Sequence, residues 1–454
     1  MDQDLITLTH VCHHWRDVFT FRSSLWARLD FTNVDKTRVY IERSKSSPLK
    51  IRIKSGEGSS FSNDAFSLVL PHLHKLKSLN VSAGVIPDIF EHFRYHAPLL
   101  KEFTIDITGS SNPVLDNELF NGDLSSLRKL SLGGVITDLP WKNVANLQVF
   151  ILVSQTPGHE ITQLLDFLES APLLHTIELR NTIPASSNAS PERVVSLCHL
   201  KTLHIGADPV HSTLLNHLFI PAGASLIQEF KYKSKKPPVS DYLPVASANL
   251  KNLSHITAIN FCLGPVRKFL RLAGPSGELR MLALWDGPGS ASNSADRRIL
   301  RSLRFLTLSM IQRLSFTKYC RHGQIPTEVD ESQLLQTLSL TKNLRTLILA
   351  ECNNLPFIHT LDPTKNSLEL VLCPQLEEFV LYIRTPDQFY TGPLTHMANN
   401  RASRGAKLSS ITVVDLGELA PKKEVLKLRE HVTRVEYRVD NTSLAWDDLP
   451  EGWR

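Results

Sequence analysis

The chain has 454 residues and a mass of 51.0 kDa, which is too long for one compact core and predicts either several domains or an elongated repeat architecture. Apolar residues make up 42% and charged residues 21%, with no long uncharged apolar stretch, so the composition argues against a membrane protein and against wholesale disorder. The formal net charge of +5 is by itself too small to indicate a nucleic-acid-binding protein.

The amino terminus predicts a short amphipathic helical segment. Apolar residues recur here at helical spacing over about four turns. They are Leu5, Leu8, Val11, Cys12, Trp15, Val18 and Phe19. A break at Arg22-Ser-Ser24 comes next. About thirty residues cannot bury enough apolar surface to fold alone, so we expect this segment to dock on the repeats that follow or on another protein. The first five residues lack the basic region of a signal peptide, which predicts an intracellular protein, cytoplasmic or nuclear.

A pattern of the form L-x-x-L-x-L recurs along the rest of the chain. Its last two apolar positions have the period of a strand, and the first suits a turn that enters the strand. The steps between units, about 20 to 30 residues over most of the chain, are typical of leucine-rich repeats. The predicted units are Leu76/Leu79/Val81, Leu100/Phe103/Ile105, Leu127/Leu130/Leu132, Leu147/Phe150/Leu152, Leu174/Ile177/Leu179, Leu200/Leu203/Ile205, Ile227/Phe230/Tyr232, Ile256/Ile259/Phe261, Leu279/Leu282/Leu284, Leu303/Leu306/Leu308, Leu344/Leu347/Leu349, Leu376/Phe379/Leu381, Leu408/Ile411/Val413 and Val432/Val435/Tyr437.

One unit, from Leu344 to Leu355, resembles the leucine-rich-repeat consensus in full, with Cys352 where a buried Asn or Cys is expected. Amphipathic stretches between the strands predict helices, for example at 161–168 and 334–340. We therefore predict an α/β fold: a degenerate leucine-rich-repeat-like solenoid, with a curved parallel sheet and helices on its convex side. The predicted organisation is a short helical segment with its connector at 1–48, the solenoid at 49–439 and an acidic, Trp-containing tail at 440–454. The alternative is an ordinary α/β domain, whose strands also read as apolar triplets.

The string Val11-Cys12-His-His-Trp15-Arg16, followed by Ser24-Leu25-Trp26, resembles the second half of an F-box. Its continuation is similar to the F-box and leucine-rich-repeat proteins of mushroom-forming fungi. The resemblance implies a non-catalytic substrate receptor of a cullin-type ubiquitin ligase, whose F-box helices bind a Skp-type adaptor while the repeats bind a target protein. It assigns the adaptor contacts to Leu5, Leu8, Val11, Cys12, Trp15, Arg16, Leu25 and Trp26.

The chain departs from that family at its start. The family's opening element, a Leu-Pro followed by a Leu- or Ile-rich helix, has no counterpart before Asp4. Either the start codon lies further upstream or the adaptor contact is weakened. A rival hypothesis is a plain protein-binding scaffold with no link to a ligase, in which the amino-terminal helices cap the first repeat as terminal repeats must.

The residue between the last two core positions of each unit is expected on the concave face, the natural docking surface of a leucine-rich repeat. A mixed polar row of this kind suits a protein partner better than a phosphate backbone, which favours repeated Arg or Lys, and a solvated face without any ligand is the alternative. The candidate substrate-binding residues are Asn80, Thr104, Ser131, Glu178, His204, Lys231, Asn260 and Thr307, and the same row continues through Ile348, Val380, Thr412 and Glu436.

Positive charge is concentrated between Arg267 and Arg321, a stretch that contains eleven basic residues and only three acidic residues. We expect this stretch to fall largely between strands, on loops and helices, where it could bind nothing, an acidic protein or RNA, and salt dependence would separate the last two. No phosphate-binding, acyl-transfer or zinc-hydrolase motif occurs, so no catalytic, metal or cofactor site is predicted. The expected partners are thus the adaptor–cullin complex and an unknown target protein, without nucleic acid or membrane.

Overall fold

The structure is a computed structural model that divides into two compact units, Met1–Pro221 and Ala222–Arg454. Among the described residues, no helix is both long enough and apolar enough to cross a lipid bilayer. The predicted tail, 440–454, lies outside the described residues. The structure describes residues 2–31, 33–55, 63–84, 93–109, 113–115, 119–137, 143–153, 160–180, 193–207, 211–232, 247–263, 267–285, 308–318, 331–350, 352–383, 390–416 and 422–439.

The first unit begins with two short helices, α1 (Asp2–Thr9) and α2 (His13–Phe21). The apolar spacing predicted one continuous helical run, and the structure breaks it because Cys12 is extended, with φ −157° and ψ 170°. The Arg16 side chain closes the corner, since its Nε donates to the Thr9 carbonyl at 3.0 Å. A third helix, α3 (Val34–Ser44), is capped by Asn33, whose side chain accepts from the Lys36 amide at 3.0 Å.

The main sheet of the first unit is parallel, and its strands pair in chain order. The predicted triplets lie in register, so Leu79, Phe103 and Leu130 stand side by side on one buried face. Polar side chains alternate with them on the opposite face, as the two-residue period of a strand requires. The strands described are β1 (Arg28–Leu29), β2 (Leu49–Ser55), β3 (Leu76–Ala83), β4 (Glu102–Ile107), β6 (Lys129–Gly133), β8 (Val149–Val153), β9 (Thr176–Arg180) and β11 (Thr202–Ala207), with two small parallel pairs, β5 (Val114–Leu115) with β7 (Ile136–Thr137) and β10 (Val195–Ser196) with β12 (Leu218–Phe219).

Phenylalanine rings link successive strand connections beneath this sheet. Phe31 meets Phe66 edge-on at 5.5 Å between centroids, Phe66 meets Phe93 at 5.6 Å, and Phe93 lies 5.8 Å from Phe120. Each ring is 0–1% exposed, so the contacts form a continuous apolar layer. The helices here are short: α4 (Asn63–Ser67), α5 (Ile161–Glu169) and α6 (His211–Asn216), and α5 confirms the helix predicted at 161–168.

The second unit is also α/β, but its sheet is not wholly parallel. Strand β15 (Arg267–Gly274) runs antiparallel to β14 (Ala258–Leu263) and to β16 (Gly277–Trp285), which corrects the expectation of parallel strands throughout. The turn Gly274-Pro-Ser-Gly277 joins β15 to β16 and suits a tight hairpin. Parallel pairs complete the sheet: β13 (Ser225–Tyr232) with β16, β14 with β17 (Arg313–Lys318), and then β18 (Thr346–Ala350), β19 (Glu378–Ile383), β20 (Ser410–Asp415) and β21 (Arg434–Val439) in chain order.

The basic stretch is therefore placed differently from the sequence expectation. Arg267 and Arg271 lie on β15, Arg280 lies on β16 and Arg313 on β17, so its described part is mostly strand rather than loop or helix. The triplet that enters β17 is Ile311/Leu314/Phe316, all buried, whereas Leu308 of the predicted triplet begins a 3-10 turn. Two further predicted turn residues, Ile227 and Leu279, lie inside strands.

Helices cover the core side of the later strands in this unit: α7 (Glu331–Leu340), α8 (Leu355–Leu361), α9 (Thr391–Ser403) and α10 (Lys422–Lys427). Cys352 is 3% exposed and donates to the Asn354 side chain, which matches the buried position that the consensus predicts. Arg401 on α9 is fully buried and donates to the carbonyls of Leu372 and Cys373 at 2.7 and 2.9 Å. Burial raises the pKa of the Cys373 thiol to about 11, so this cysteine stays a neutral core residue.

Candidate functional site: two surfaces

The first candidate surface is on α1 and α2, where large apolar side chains are exposed to solvent. None of the α2 residues is buried. We call this set the amino-terminal surface: Ile6 (41% exposed), Val11 (61%), Trp15 (45%), Val18 (40%) and Phe21 (74%). Five exposed large apolar residues within sixteen positions exceed the scattered singles normal on a soluble protein, so this surface is typical of a binding site.

The predicted adaptor residues are divided by the structure. Val11, Cys12, Trp15 and Arg16 are exposed, and Leu8 and Leu25 are half-buried. Leu5 lies on α1, but its side chain is outside the described part. Arg16 serves the corner between the two helices through its bond to Thr9.

Trp26 has a different role from Trp15. It is 1% exposed, its Nε1 donates to the Phe19 carbonyl at 2.8 Å, and its ring meets Tyr40 edge-on at 5.0 Å. The guanidinium carbon of Arg43 lies 4.4 Å from the Trp26 ring centroid, within range of a cation–π contact. Trp26 thus anchors α2 and α3 to the sheet, whereas Trp15 faces outward and stacks on Phe19 at 5.5 Å.

The second candidate surface is the row of side chains opposite the buried triplets, which we call the central row. In the first unit it is continuous, because the register aligns one residue of each strand with the next. Arg52 on β2 joins the row beside Asn80 and was not predicted. The described members are half-buried apart from the exposed Arg52, and they run Arg52, Asn80, Thr104, Ser131, Ile151, Glu178 and His204.

Charges on this row are paired locally. Arg180 on β9 donates to Glu178 at 2.6 Å, and its guanidinium lies 3.5 Å from Nδ1 of His204. Ser78 beside the row donates to Glu102 at 3.1 Å. The row therefore presents a mixed surface with no run of unneutralised arginines, and a mixed surface of this kind suits a polar protein partner.

In the second unit only some of the predicted row residues lie in the described part of the structure. Asn260 lies on β14 and accepts from Ser315 on β17, which is fully buried and aligned with it. Thr307 lies outside the described residues, and Ser315 occupies the place that was expected for it. Lys231 lies on β13, but its side chain is not described. The signal for Ser315 was available, since Ile311, Leu314 and Phe316 have the same spacing as the other triplets.

A half-buried ion cluster neutralises part of the basic stretch. Glu278 on β16 pairs with Arg271 at 3.0 Å and with Arg280 at 2.9 Å, and Ser225 donates to it at 2.9 Å. Burial by itself would raise the pKa of the Glu278 carboxyl, but hydrogen bonds from Arg280 and Ser225 outweigh it, so this pKa lies below its ordinary value. Both arginines are already paired with a carboxylate of the same sheet, so they are less available to a phosphate backbone.

The face opposite the core carries a groove across β17 to β21, with a cavity volume of about 370 Å³. Ile348 and Val380, only 4% and 8% exposed, line it together with Tyr382 and Val414. The rest of the lining is polar and consists of Ser410, Thr412, three arginines and two glutamates: Arg313, Arg434, Arg438, Glu378 and Glu436. We call this feature the β17–β21 groove.

The polar end of the groove is built on the single strand β21. Glu436 accepts from Arg434 through one carboxylate oxygen and from Arg438 through the other, the latter at 2.6 Å. The hydrogen bond from Arg438 is the main cause that holds the pKa of the Glu436 carboxyl below its ordinary value; desolvation opposes it and Arg434 reinforces it. Both guanidiniums stay largely exposed, at 72% and 67%, so most of their donors face solvent.

No group of three or more His, Cys, Asp or Glu side chains among the described residues is placed to hold a metal ion. A scan against protein-family models and a search of curated proteins each gave no match. The functional argument therefore rests on the geometry of the two surfaces.

Proposed function

We propose that this chain is a non-catalytic substrate-recognition subunit of a cullin-type ubiquitin ligase. The amino-terminal surface binds a Skp-type adaptor, and the face of the sheets opposite the core binds a target protein. Such a receptor acts by proximity, because holding a target lysine near a charged conjugating enzyme raises the effective concentration of the pair. No side chain of the receptor then needs to do chemistry.

The observation that carries this proposal is the exposure of the amino-terminal surface. Val11 and Phe21 are 61% and 74% exposed. In an ordinary amphipathic helix, apolar residues at these positions would pack against the core of the protein. Leaving such side chains in water is unfavourable by about 25 cal/mol per Å² of apolar surface, which a docked partner recovers. The resemblance of the Val11 to Trp26 string to an F-box names a Skp-type adaptor as that partner.

We also propose that the strands of each unit belong to a degenerate leucine-rich-repeat-like array. Its support is the register: strands about 20 to 30 residues apart pair in parallel and in chain order, with the triplets aligned on one face. The helices predicted between strands at 161–168 and 334–340 form as α5 and α7. The β15–β16 hairpin is then an insertion into the array.

The rival function, a plain protein-binding scaffold, is favoured by a different observation. Strand β1 pairs in parallel with β2, and Trp26, Leu29 and Phe31 are 1–3% exposed, so this segment caps the edge of the first sheet. The cap lies in residues 23–44, however, and leaves α1 and α2 uncovered. A scaffold hypothesis therefore explains the cap but gives no use for the amino-terminal surface.

The experiment separates these two parts of the segment. We would compare the full chain with Trp15→Ala, with a deletion of residues 2–21 that spares Trp26, and with Val39→Ala as a control. Val39 is 37% exposed and lies on α3, outside the amino-terminal surface. Binding of a purified Skp-type adaptor would be measured by biolayer interferometry, and folding by circular dichroism during urea unfolding.

We expect adaptor binding with the full chain, a loss of about tenfold or more with Trp15→Ala and a complete loss with the deletion, because exposed Trp residues are frequent interface hot spots. Val39→Ala should bind like the parent chain. If the adaptor binds none of the four proteins while all are folded, the receptor function is wrong. Unfolding of the chain lacking 2–21 would instead support the scaffold hypothesis, in which α1 and α2 are part of the cap.

A further inference from the structure

We propose that the β17–β21 groove binds an extended acidic peptide segment that carries one large apolar side chain two or three residues before a carboxylate. This inference rests on the proposed function, since it names the chemistry of the target, and it is tested without the adaptor. The proposal above assigns target binding to the whole sheet face opposite the core. The present inference assigns it to a patch of five strands, β17 to β21.

The floor of the groove has an apolar strip because β18, β19 and β20 place Ile348, Val380 and Val414 side by side. Ile348, Ala350 and Val380 form a buried cluster on which Tyr382 and Leu416 pack. A volume of about 370 Å³ lies within the range of small-ligand pockets, about 300 to 1,000 Å³. The space suits one large side chain in contact with this floor.

The edge of the groove supplies the charge preference. Arg434 and Arg438 are four residues apart on β21, so alternation places both on the groove face with Glu436 between them. One carboxylate cannot neutralise two guanidiniums, and this end of the groove keeps an excess of one positive charge. A guanidinium offers five donors in a planar fork, so each arginine retains donors for a second carboxylate.

The spacing of the ligand follows from the sheet. From Val380 on β19 to Glu436 on β21 there are two strand intervals, since Val380 pairs with Thr412 and Thr412 with Glu436. Neighbouring strands are about 4.8 Å apart and an extended chain advances about 3.3 Å per residue, so the interval of roughly 10 Å corresponds to about three residues. An aromatic or large aliphatic side chain over Val380 therefore places a carboxylate two or three residues later beside the arginines.

A phosphate backbone fits this groove less well. Nucleic acid favours a stripe of several unpaired basic residues, and here two glutamates stand among the three arginines of the lining. The apolar floor would also be left uncovered by a phosphate chain. A protein segment satisfies both the floor and the edge, and RNA is the alternative that the test must separate.

The test is fluorescence anisotropy with the full chain and a labelled peptide, Gly-Ser-Trp-Ser-Asp-Glu-Gly. Matched peptides replace both acids by Lys, or the Trp by Ala, and a labelled single-stranded RNA is a third probe. Arg434→Gln combined with Arg438→Gln removes the charged edge, and Thr412→Trp fills the half-buried centre of the groove. Arg429→Gln is the control, since Arg429 is exposed and does not line the groove.

We expect the acidic Trp peptide to bind and the two matched peptides to bind at least about tenfold more weakly, which corresponds to about 1.4 kcal/mol. The double Arg variant and Thr412→Trp should each lose about tenfold, while Arg429→Gln stays like the parent. Equal affinity for the Lys peptide or tighter binding of RNA would overturn the proposal.

The adaptor experiment and the peptide experiment test different proposals, and a negative result in one does not decide the other. Peptide binding without adaptor binding would leave the groove assigned and the ligase link wrong. Adaptor binding without peptide binding, in a chain whose unfolding curve is normal, would leave the receptor function standing and remove the groove as the site of target recognition.

Discussion

Replacing Trp26 should unfold the amino-terminal cap, whereas replacing Trp15, eleven positions earlier, should not. Trp26 is 1% exposed, and Trp26→Ala removes a large buried ring, a change that typically costs about 3–5 kcal/mol. Trp26→Phe keeps most of the ring but loses the 2.8 Å hydrogen bond to Phe19, about 0.5–1.5 kcal/mol, and weakens the Arg43 contact by up to about 1 kcal/mol. We therefore expect the free energy of unfolding to fall by roughly 0.5–2.5 kcal/mol in the Phe variant.

The matched variant is Trp15→Ala, for which half-exposure predicts a loss below about 1 kcal/mol. The assay is urea unfolding of all three variants, followed by far-ultraviolet circular dichroism, with hydrogen exchange of the β2 amides as a local readout. The order Trp26→Ala, Trp26→Phe, Trp15→Ala, from least to most stable, is the expected result. Equal stabilities for Trp26→Ala and Trp15→Ala would refute the division of the Val11–Trp26 segment into a buried anchor and an exposed contact.

Three further changes test other parts of the fold. Gly134→Ala should lower the urea midpoint markedly, because φ is +64° and a Cβ there would lie 2.0 Å from the Ile107 carbonyl oxygen; an unchanged midpoint would contradict the turn geometry. Arg401→Lys should cost about 1–3 kcal/mol of unfolding free energy, since a single ammonium cannot replace a fork that serves two buried carbonyls, and wild-type stability in urea would argue against that role. Burial by itself would raise the pKa of Asp362, but its hydrogen bonds, including one from Asn400, outweigh this and hold the pKa below the ordinary 3.8. The stabilisation that Asp362 provides is therefore present above that value and is lost as the pH falls through the lower folded pKa, so the gap in urea midpoint between Asp362→Asn and the parent should narrow on acidification from about pH 6 to about pH 3; a constant gap would be the contrary result.

Much of the sheet could be predicted from the chain alone. The triplets gave the buried residues of most parallel strands, because a strand that packs one face on a core must alternate, and the unit period sets which strand comes next. Direction is not encoded in that alternation. An antiparallel strand has the same period, so β15 could be recognised only from the Gly274-Pro-Ser-Gly277 turn, whose residues suit a tight reversal.

The candidate site was predictable in outline and not in detail. The positions of Asn80, Thr104, Ser131 and Glu178 on one row followed from spacing alone, and the register confirms the alignment. Which tryptophan of a short motif is buried did not follow, because both Trp15 and Trp26 fit an amphipathic pattern and only tertiary packing distinguishes them.

The polar edge of the groove was visible in the sequence as charges alternating with buried positions along β21. Glu436 was placed on the row, but its two arginine partners at positions 434 and 438 are two residues away and belong to neighbouring rows. An interpretation that considers one row at a time therefore misses the contacts of Glu436 with Arg434 and Arg438 on the same strand. Pairing across rows depends on side-chain length and direction, which a spacing rule does not contain.

The order in which strands pair has a consequence for synthesis. In the first unit every main strand finds its partner in the strand made just before it, so the sheet can grow as the chain leaves the ribosome. Strand β13 is different: its Ser225 bonds to Glu278, 53 positions later, and its edge must wait until β14, β15 and β16 have all been translated. At about 5–20 residues per second this delay lasts roughly 3–10 seconds. During that interval the edge of β13 that faces β16 lacks its partner, and chaperone protection during translation would matter there.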